Sequence, residues 1–589
     1  MSTAFVRNLP FGATLVGPNR CRFRLWAPLQ ESVSVEIDGL PSVPMARTAD
    51  GWFSGEGECG AGARYRFRLG TGPVVPDPAA RAQAEDVHGP SLVVDPAAFR
   101  WQHTGWQGRP WQETVLYELH AGVLGGFAGV QAELPRLAAL GVTAIELMPI
   151  NDFPGIRNWG YDGVLPFAPD HAYGTPDELK LLIDAAHGHG LMVFLDVVYN
   201  HFGPAGNYLS SYAPEFFRDD ISTPWGSAID FRRPEVRRYF IENALYWLLE
   251  YRFDGLRFDA VHAIADADWL DEMAAEVRAS IEPGRHVHLV LEHDGNVAGH
   301  LRGDFDAQWN DDAHHVLHAM LTGEADGYYS DYADLPAVRL ARCLAEGFAY
   351  QGEPSAYRDG ERRGTPSADL PPTAFVLFLQ NHDQIGNRPF GDRLTELAEG
   401  AALEAAIALQ LLCPQIPLLF MGEERGSRTP FLYFTDHHGA LADAVREGRR
   451  REFAGFAGFR DGQRTALIPD PNAVETFEQS TPAADAASGA ARLAFYRHLL
   501  ALRASIVVPR LAGARSLGAR PVGESAVVAS WRMSDAAILT IATNLGRTPC
   551  KVTPPDGRIV FEQRAGDGNR IQRGELGAQT TVVLLEVPA

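Results

Sequence analysis

Eight apolar runs of strand length recur between residues 115 and 424, and stretches with helical spacing separate them. One such stretch, PDELKLLIDAAHGHG at 176–190, is typical of a helix that covers a sheet. Runs that are apolar on both faces predict parallel strands buried between helices, the pattern of an α/β fold. The eight runs are VLYELH (115–120), AIELMPI (144–150), MVFLDVV (192–198), GLRFDAV (255–261), HLVLEH (288–293), FDAQWND (305–311), FVLFLQNHD (375–383) and PLLFMGEE (417–424).

The number of runs and the position of their polar residues favour a (β/α)8 TIM barrel. Polar residues gather at the C-terminal end of run after run, which is where such a barrel builds its active site. A doubly wound sheet is the competing architecture, but no GxGxxG sequence follows the first run. The sequence therefore predicts a barrel with a site at the C-terminal ends of its strands.

Segments rich in predicted strands flank the barrel on both sides. Short runs with alternating or aromatic residues, CRFRLWAP, SVSVEI, GWFSG and RYRFRL, predict an N-terminal β-sandwich over residues 1–105. We expect the catalytic barrel with its loop insertions over 106–485. The last barrel helix and a C-terminal β-sandwich, with the strands SAVVASWRM, AAILTIATNL and TTVVLLEV, are expected over 486–589.

The chain is acidic, with 74 Asp and Glu against 52 Lys and Arg and a net charge of −22. This excess disfavours binding to nucleic acid and to anionic membranes, but it does not repel a neutral substrate. The five cysteines lack CxxC spacing, so they indicate neither a disulfide framework nor a zinc site. The N-terminus lacks a secretory pattern, and Pro and Gln interrupt the apolar stretch 405–422, which predicts a buried helix and strand in a cytoplasmic protein.

Three carboxylates end apolar runs of the predicted barrel: Asp259, Glu292 and Asp383. Because the C-terminal ends of barrel strands surround one pocket, we expect these side chains to converge. Carboxylates that share a pocket raise one another's pKa, so at least one of them needs a cation to stay ionised. Arg257 lies two residues before Asp259, on the same side of the strand, and is the natural cation. Asp259 is then a candidate nucleophile.

A structural interpretation competes with this one, because Asp and Glu after strands often cap the following helix. Three such residues at one end of the barrel, together with Arg257, favour a site. Two histidines at the same end, His201 and His382, can hold sugar hydroxyls by hydrogen bonds. Aromatic residues that can stack on sugar rings, or simply pack at the rim, are Trp159, Tyr161, Tyr208 and Trp225.

Four segments of the chain resemble the signature segments of the α-amylase superfamily of glycoside hydrolases: DVVYNH (196–201), GLRFDAVH (255–262), LEHD (291–294) and QNHDQIG (380–386). The resemblance implies that Asp259 is the nucleophile, Glu292 the general acid/base and Asp383 the stabiliser of the transition state. It also implies a supporting role at the cleaved bond for five further residues, which are Asp196, Asn200, His201, Arg257 and His382.

Further strings resemble one subfamily of trehalose-releasing enzymes, among them NWGYDGVLPFAPDHAYGTPDEL (158–179), GPAGNYLSSYAPEFF (203–217) and FTDH (434–437). The resemblance implies a retaining cleavage of the α-1,4 bond next to the terminal trehalose of malto-oligosyltrehalose, in trehalose biosynthesis. It implies a substrate contact by Tyr161 and a pathway partner, malto-oligosyltrehalose synthase, and we expect Trp159 and His262 to contact the substrate as well. His262 departs from the typical α-amylase pattern, and HAGVLGGFAGV (120–130) departs from the subfamily pattern.

Other functions stay open at this point. A glycogen-branching or debranching enzyme shares the predicted domains and carboxylates, and a non-catalytic carbohydrate-binding protein can use the same scaffold. The second class is expected to lose one or more of the three carboxylates, which this chain keeps. The six to eight oxygen ligands that calcium needs cannot be assembled from any one loop, so we predict no metal and no cofactor.

Overall fold

The computed structural model describes residues 4–453 and 464–588. Eight parallel strands form a closed barrel in which β1 pairs with both β2 and β8. This confirms the predicted (β/α)8 barrel and excludes the doubly wound sheet. The strands are β1 (Leu116–Leu119), β2 (Ala144–Leu147), β3 (Met192–Val197), β4 (Gly255–Phe258), β5 (His288–Leu291), β6 (Ala307–Trp309), β7 (Phe375–Leu377) and β8 (Ile416–Phe420).

The strands are shorter than the apolar runs that predicted them. All eight end before the last residue of their run, so Asp259, Glu292 and Asp383 lie beyond the pairing segments. Loop backbone begins at those points, which frees the carboxylates to turn into the mouth of the barrel.

The helices cover the outside of the barrel and connect its strands. Thr175 caps α2 through a reciprocal capping box with Glu178, and Pro176 occupies the first helical turn. The stretch predicted as a buried helix and strand is α10 followed by β8. The helices are α1 (Gly126–Leu140), α2 (Pro176–Gly188), α3 (Pro234–Leu245), α4 (Asp268–Ser280), α5 (Asp311–Thr322), α6 (Ser330–Ala333), α7 (Pro336–Glu346), α8 (His382–Gly386), α9 (Leu394–Leu397), α10 (Gly400–Leu412), α11 (Gly439–Phe453), α12 (Val474–Glu478), α13 (Gly489–Leu502) and α14 (Asp567–Gln572). Within the described residues, no helix is long and apolar enough to cross a membrane.

The interior of the barrel changes from apolar to charged along its axis. Leu116, Ala144 and Phe194 belong to a buried apolar cluster, and each fully buried large side chain contributes ~1.5–3 kcal/mol. Two residues further along the strands, the same inward positions carry Glu118, Glu146 and Asp196. All three are buried. The apolar layers therefore form a floor beneath a charged layer that faces the C-terminal mouth.

Two sheets form the N-terminal sandwich, in agreement with the predicted fold class. The strands of these sheets are Gly12–Gly17, Arg20–Trp26, Val33–Ile37, Val43–Pro44, Ala46–Arg47, Trp52–Gly57, Arg64–Leu69, Val74–Val75 and Ser91–Leu92. The predicted boundary at residue 105 falls between the last of them and β1, and it stays a prediction.

At the C-terminus, five strands form one sheet and two short strands form another. The three predicted strands are present, and the boundary at residue 485 stays a prediction because nothing tests it. The five-stranded sheet contains Arg515–Val522, Ala526–Arg532, Ile538–Asn544, Arg558–Glu562 and Thr580–Glu586, and the short pair is Cys550–Lys551 with Glu575–Leu576.

A buried ion pair joins the N-terminal segment to the barrel. Arg81 lies 2.7 Å from Glu250, and the two side chains are 5% and 1% exposed. Lys180 of α2 lies 3.4 Å from the same carboxylate. Arg81 from the N-terminal segment and Lys180 from the barrel thus both compensate the buried charge of Glu250.

We expect Arg81→Ala to destabilise the protein by about 3 kcal/mol, because it leaves the buried carboxylate of Glu250 with only part of its compensation. A fall in the apparent melting temperature measures this loss. Arg20→Ala is the matched control, since Arg20 forms an exposed pair with Glu56. Equal melting temperatures for the two variants would contradict a role for the buried pair.

Candidate active site

The predicted site residues lie at one end of the barrel. Asp196 is on β3, and Arg257 is on β4 with Asp259 one residue beyond that strand. Glu292 follows β5 directly, and Asp383 is the second residue of α8, which follows β7. The structure thus brings together side chains from four strand ends, as the sequence predicted.

Arg257 is the centre of this group. Its Nη1 donates hydrogen bonds to Asp196 Oδ2 at 2.6 Å and to Asp259 Oδ1 at 2.9 Å. Its Nη2 lies 2.8 Å from Glu292 Oε2, and the guanidinium covers the ring of Trp309 at 4.2 Å. The side chain is 0% exposed. One fully buried cation therefore lies within ion-pair distance of three carboxylates.

Backbone and amide groups fix the two carboxylates of the predicted reaction. Asn200 Nδ2 donates to Asp259 Oδ2 at 2.7 Å and to the Asp259 carbonyl oxygen at 2.9 Å. The N–H of Ala260 donates to Glu292 Oε2 at 2.7 Å. Ala260 has a φ of 38°, in the left-handed region that non-glycine residues rarely adopt. This strained residue directly links the loop of Asp259 to the carboxylate of Glu292.

Charged and aromatic groups surround His382. Its Nε2 lies 2.7 Å from the hydroxyl oxygen of Tyr161 and 3.5 Å from Asp383 Oδ1. Its Nδ1 contacts Glu118, whose carboxylate also accepts the His382 backbone N–H at 3.1 Å. Burial opposes the charged imidazole, but the carboxylates of Glu118 and Asp383 outweigh it and raise the pKa of His382 to about 9.

Tyr161 connects this histidine to the charged layer. Its hydroxyl donates to Asp196 Oδ2 at 2.7 Å. Burial raises the pKa of Asp196 to about 7, against the opposing effect of Arg257. Asp383 is 36% exposed and accepts a hydrogen bond from Asn387 at 3.2 Å. Among the three predicted carboxylates, Asp383 is the most open to the cleft.

His201 lies at the rim of the same site. Its Nε2 lies 2.9 Å from the carbonyl oxygen of Tyr161, and its Nδ1 contacts Asn200. Burial lowers the pKa of His201 and so favours the neutral ring. The indole of Trp225 stacks on this imidazole with ring centres 4.8 Å apart and planes 11° from parallel. Trp225 is 47% exposed, so it can also offer ring surface to a sugar.

Trp159 does not have the exposed ring face that the sequence suggested. It is 4% exposed, its Nε1 donates to the carbonyl oxygen of Leu432, and its ring stacks on Phe431. Its ring also lies edge-on to His382 and to Tyr161. We therefore interpret Trp159 as packing behind these two residues.

A cleft of about 280 Å³ contains the predicted residues His262, Glu292 and Asp383. Its wall also includes Asp311 and Tyr328, which the sequence analysis did not assign. Burial, together with the charges of Glu292 and Asp294, raises the pKa of Asp311 well above its usual range. Glu118 is a second missed residue. In the sequence, each of these residues is a charged residue in an apolar strand run: Glu118 lies in VLYELH and Asp311 in FDAQWND. Neither has a partner that can be recognised from the sequence.

One group of potential metal ligands exists among the described residues: Asp152, Asp170 and His171, whose ligand atoms lie within 4.8 Å of one another. Burial raises the pKa of Asp152 to about 6, and burial together with the charge of Asp152 raises the pKa of Asp170 well above its usual range. A proton bound by these two carboxyl groups reduces their charge repulsion, as a bound cation would. The prediction that the protein binds no metal therefore stays a prediction.

Comparisons with known proteins show the family to which the chain belongs. A family model described as "Alpha amylase, catalytic domain" matches residues 87–220, and one described as "Domain of unknown function (DUF3459)" matches 514–584. The chain is 44% identical over 508 residues to the malto-oligosyltrehalose trehalohydrolase of Deinococcus radiodurans, covering 84% of this chain and 82% of that protein. The protein of the same name from Rhizobium sp. (strain M-11) is 41% identical over 524 residues, covering 83% of this chain and 85% of its own. A solved structure, "Putative alpha Amylase from Salmonella typhimurium", has a TM-score of 0.92 and 45% identity, covering 98% of this chain and 100% of its own.

The group of Asp152, Asp170 and His171 allows a test of whether a proton or a metal ion compensates its buried carboxylates. Because the pKa of Asp152 is raised in the folded protein, its contribution to stability is full below the unfolded pKa of about 3.9 and is lost as the pH rises through about 6. We expect the apparent melting temperature of the wild type to fall across this interval relative to Asp152→Asn. If a chelator lowers the melting temperature of the wild type but not of the variant, an ion occupies the cluster instead.

Proposed function

The chain belongs to the family of malto-oligosyltrehalose trehalohydrolases, and on that premise we propose that Asp259, Glu292 and Asp383 carry out its reaction. The protein is a glycoside hydrolase of the α-amylase superfamily that releases trehalose from malto-oligosyltrehalose. The bond cleaved is the α-1,4-glucosidic bond next to the terminal trehalose unit. The predicted relationship to the superfamily is thus confirmed, and the assignment of individual residues is our proposal.

The proposed mechanism is a double displacement with retained configuration. Glu292 gives its proton to the departing glycosidic oxygen while Asp259 attacks the anomeric carbon, so the C–O bond to trehalose breaks and a glycosyl ester on Asp259 forms. A water molecule then attacks the same carbon, Glu292 removes its proton, and the ester bond breaks. Asp259 is released as a carboxylate and Glu292 regains its proton.

The observation that best supports this assignment is the sharing of Arg257 by both carboxylates. The guanidinium lies 2.9 Å from Asp259 Oδ1 and 2.8 Å from Glu292 Oε2, so the two groups are close neighbours. Retaining enzymes hold their two carboxyl groups about 5 to 5.5 Å apart, whereas inverting enzymes leave room for a water between them. With Oε2 of Glu292 held by Arg257 and Ala260, we assign the transferred proton to Oε1.

The remaining predicted residues surround the cleaved bond in this proposal. Asp383 borders the open cleft, where it is suited to hydrogen-bond sugar hydroxyls as positive charge develops on the ring. Tyr161, His201 and His262 are proposed substrate contacts, and Trp225 is a proposed stacking surface. Asp196, Asn200, Arg257 and His382 hold the reacting groups in place.

The substrate is a neutral oligosaccharide, which is compatible with a chain of net charge −22. We also propose that the enzyme acts after malto-oligosyltrehalose synthase, which makes the trehalosyl end, and that it does so in the cytoplasm. A branching or debranching enzyme is the main rival function. Curated relatives with matching names over more than four-fifths of the chain favour the trehalohydrolase.

A product assay separates the rival functions. With malto-oligosyltrehalose as substrate we expect release of trehalose and a shortened malto-oligosaccharide, and little action on a plain malto-oligosaccharide of equal length. Proton NMR of the first product should show the α anomer, because two displacements restore the configuration. A change in the branching of amylose, or an initial β anomer, would contradict the proposal.

Replacing the nucleophile tests the assignment of Asp259. Asp259→Asn should lower kcat by at least about 10³-fold, because an amide cannot form the glycosyl ester, while the affinity for the oligosaccharide stays measurable by calorimetry. Asp334→Asn is the matched control, since Asp334 is exposed on the segment before α7. A variant of Asp259 with kcat near that of the wild type would exclude it as nucleophile.

A further inference from the structure

Glu118 lies in the barrel interior, outside the residues assigned above. It is on β1 and is 1% exposed. Its carboxylate makes two contacts with the same residue, an ion pair with His382 Nδ1 and a hydrogen bond from the His382 backbone N–H at 3.1 Å. The two contacts fix both the position and the rotation of the imidazole ring. Glu118 lies outside the four signature segments.

The protonation state of His382 controls the hydroxyl of Tyr161. An imidazolium donates from both nitrogens, so Nδ1–H points to Glu118 and Nε2–H points to the Tyr161 oxygen, 2.7 Å away. The tyrosine proton is then free for Asp196 Oδ2, also 2.7 Å away. In a neutral ring that keeps Nδ1–H, Nε2 accepts a hydrogen bond from the Tyr161 hydroxyl instead, and Asp196 loses the hydrogen bond from Tyr161.

This change reaches the nucleophile through Arg257. Asp196 and Asp259 both accept hydrogen bonds from Arg257 Nη1, at 2.6 Å and 2.9 Å. If Asp196 loses the bond from Tyr161, it competes more strongly for the shared guanidinium nitrogen. Contacts therefore run without interruption from Glu118 to Asp259.

The charged and titratable groups that face His382 come from several elements. Glu118 and Asp383 favour its cationic form, whereas burial and Arg257 oppose it. Burial raises the pKa of the neighbouring Glu146 well above its usual range, which favours a neutral carboxyl there. Among the described residues this set is Glu118 on β1, His120 directly after β1, Glu146 on β2, Tyr161 in the following loop, Asp196 on β3, Arg257 on β4 and Asp383 on α8.

We propose that Glu118 is a positioning residue for the hydrolysis, which keeps His382 as an imidazolium so that Tyr161 donates to Asp196 and Arg257 holds Asp259. Glu118 acts through His382 and does not touch the substrate. The inference rests on the function proposed above. The two proposals can be contradicted separately. If the proposed function is incorrect, the wild-type enzyme does not release trehalose. If only the role of Glu118 is incorrect, the wild type releases trehalose and the pH dependence of the Glu118 variant differs from the expected one.

The test is the pH profile of Glu118→Gln, which keeps the shape of the side chain but removes its charge. We expect the alkaline limb of kcat/KM to move to lower pH by more than one unit, because the buried imidazole loses its proton more easily. Between the alkaline limb of the variant and that of the wild type, the ratio of wild-type to variant kcat/KM should rise with pH by up to about tenfold per unit, as expected for the loss of one proton. The products should not change.

Glu146→Gln is the matched control, because Glu146 occupies the corresponding inward position on β2 and is equally buried. Its alkaline limb should stay at the wild-type position. A Glu118→Gln variant whose activity falls by the same factor at every pH, or whose limb does not move, would overturn the proposal.

A second measurement does not require the variant to fold. In ¹⁵N-histidine spectra of the wild-type enzyme, the His382 signal is the one missing from His382→Gln. We expect this ring to carry protons on both nitrogens at about pH 8, above the ordinary histidine pKa of about 6.5. A neutral His382 at that pH would overturn the proposal even if Glu118→Gln does not fold.

Discussion

The active site depends on the burial of one guanidinium among three carboxylates. Arg257 is fully enclosed at the end of β4 and contacts Asp196, Asp259 and Glu292. Removing such a cation from water costs several kcal/mol, and only close carboxylates and a ring face such as that of Trp309 offset this cost. The positions of the Asp259 and Glu292 carboxylates and the stability of the barrel mouth are therefore set by the same interaction.

The rest of the barrel supports this charge cluster. Apolar side chains fill the interior below it and exclude water, which strengthens each electrostatic contact above. A second cation–carboxylate pair, His382 with Glu118, lies in the same mouth and connects to the first through Tyr161. Two neighbouring cations thus compensate the negative charge that is concentrated at the mouth of the barrel.

The sequence was sufficient to predict the barrel and the convergence of three carboxylates at its mouth, because apolar runs and the charges that end them are local patterns. It was insufficient where the deciding contact is distant along the chain. Glu118 was overlooked because its partner His382 is 264 residues away. The sequence left open whether Trp159 stacks on a sugar or packs at the rim, because Phe431 and Leu432, which contact it in the fold, lie more than 250 residues further along the chain. The apolar runs also extend beyond the ends of the strands, because an apolar composition does not show at which residue strand pairing stops and the loop begins.

Covalent trapping tests the central claim most directly, namely that Asp259, held by Arg257, is the nucleophile. The enzyme is incubated with a fluorinated substrate analogue whose glycosyl ester hydrolyses slowly, then digested and examined by mass spectrometry. The account predicts one glycosyl adduct per chain, on the peptide that contains Asp259, and no adduct after Asp259→Asn. An adduct on another residue, or turnover of the analogue through an inverted product with no adduct, would contradict it.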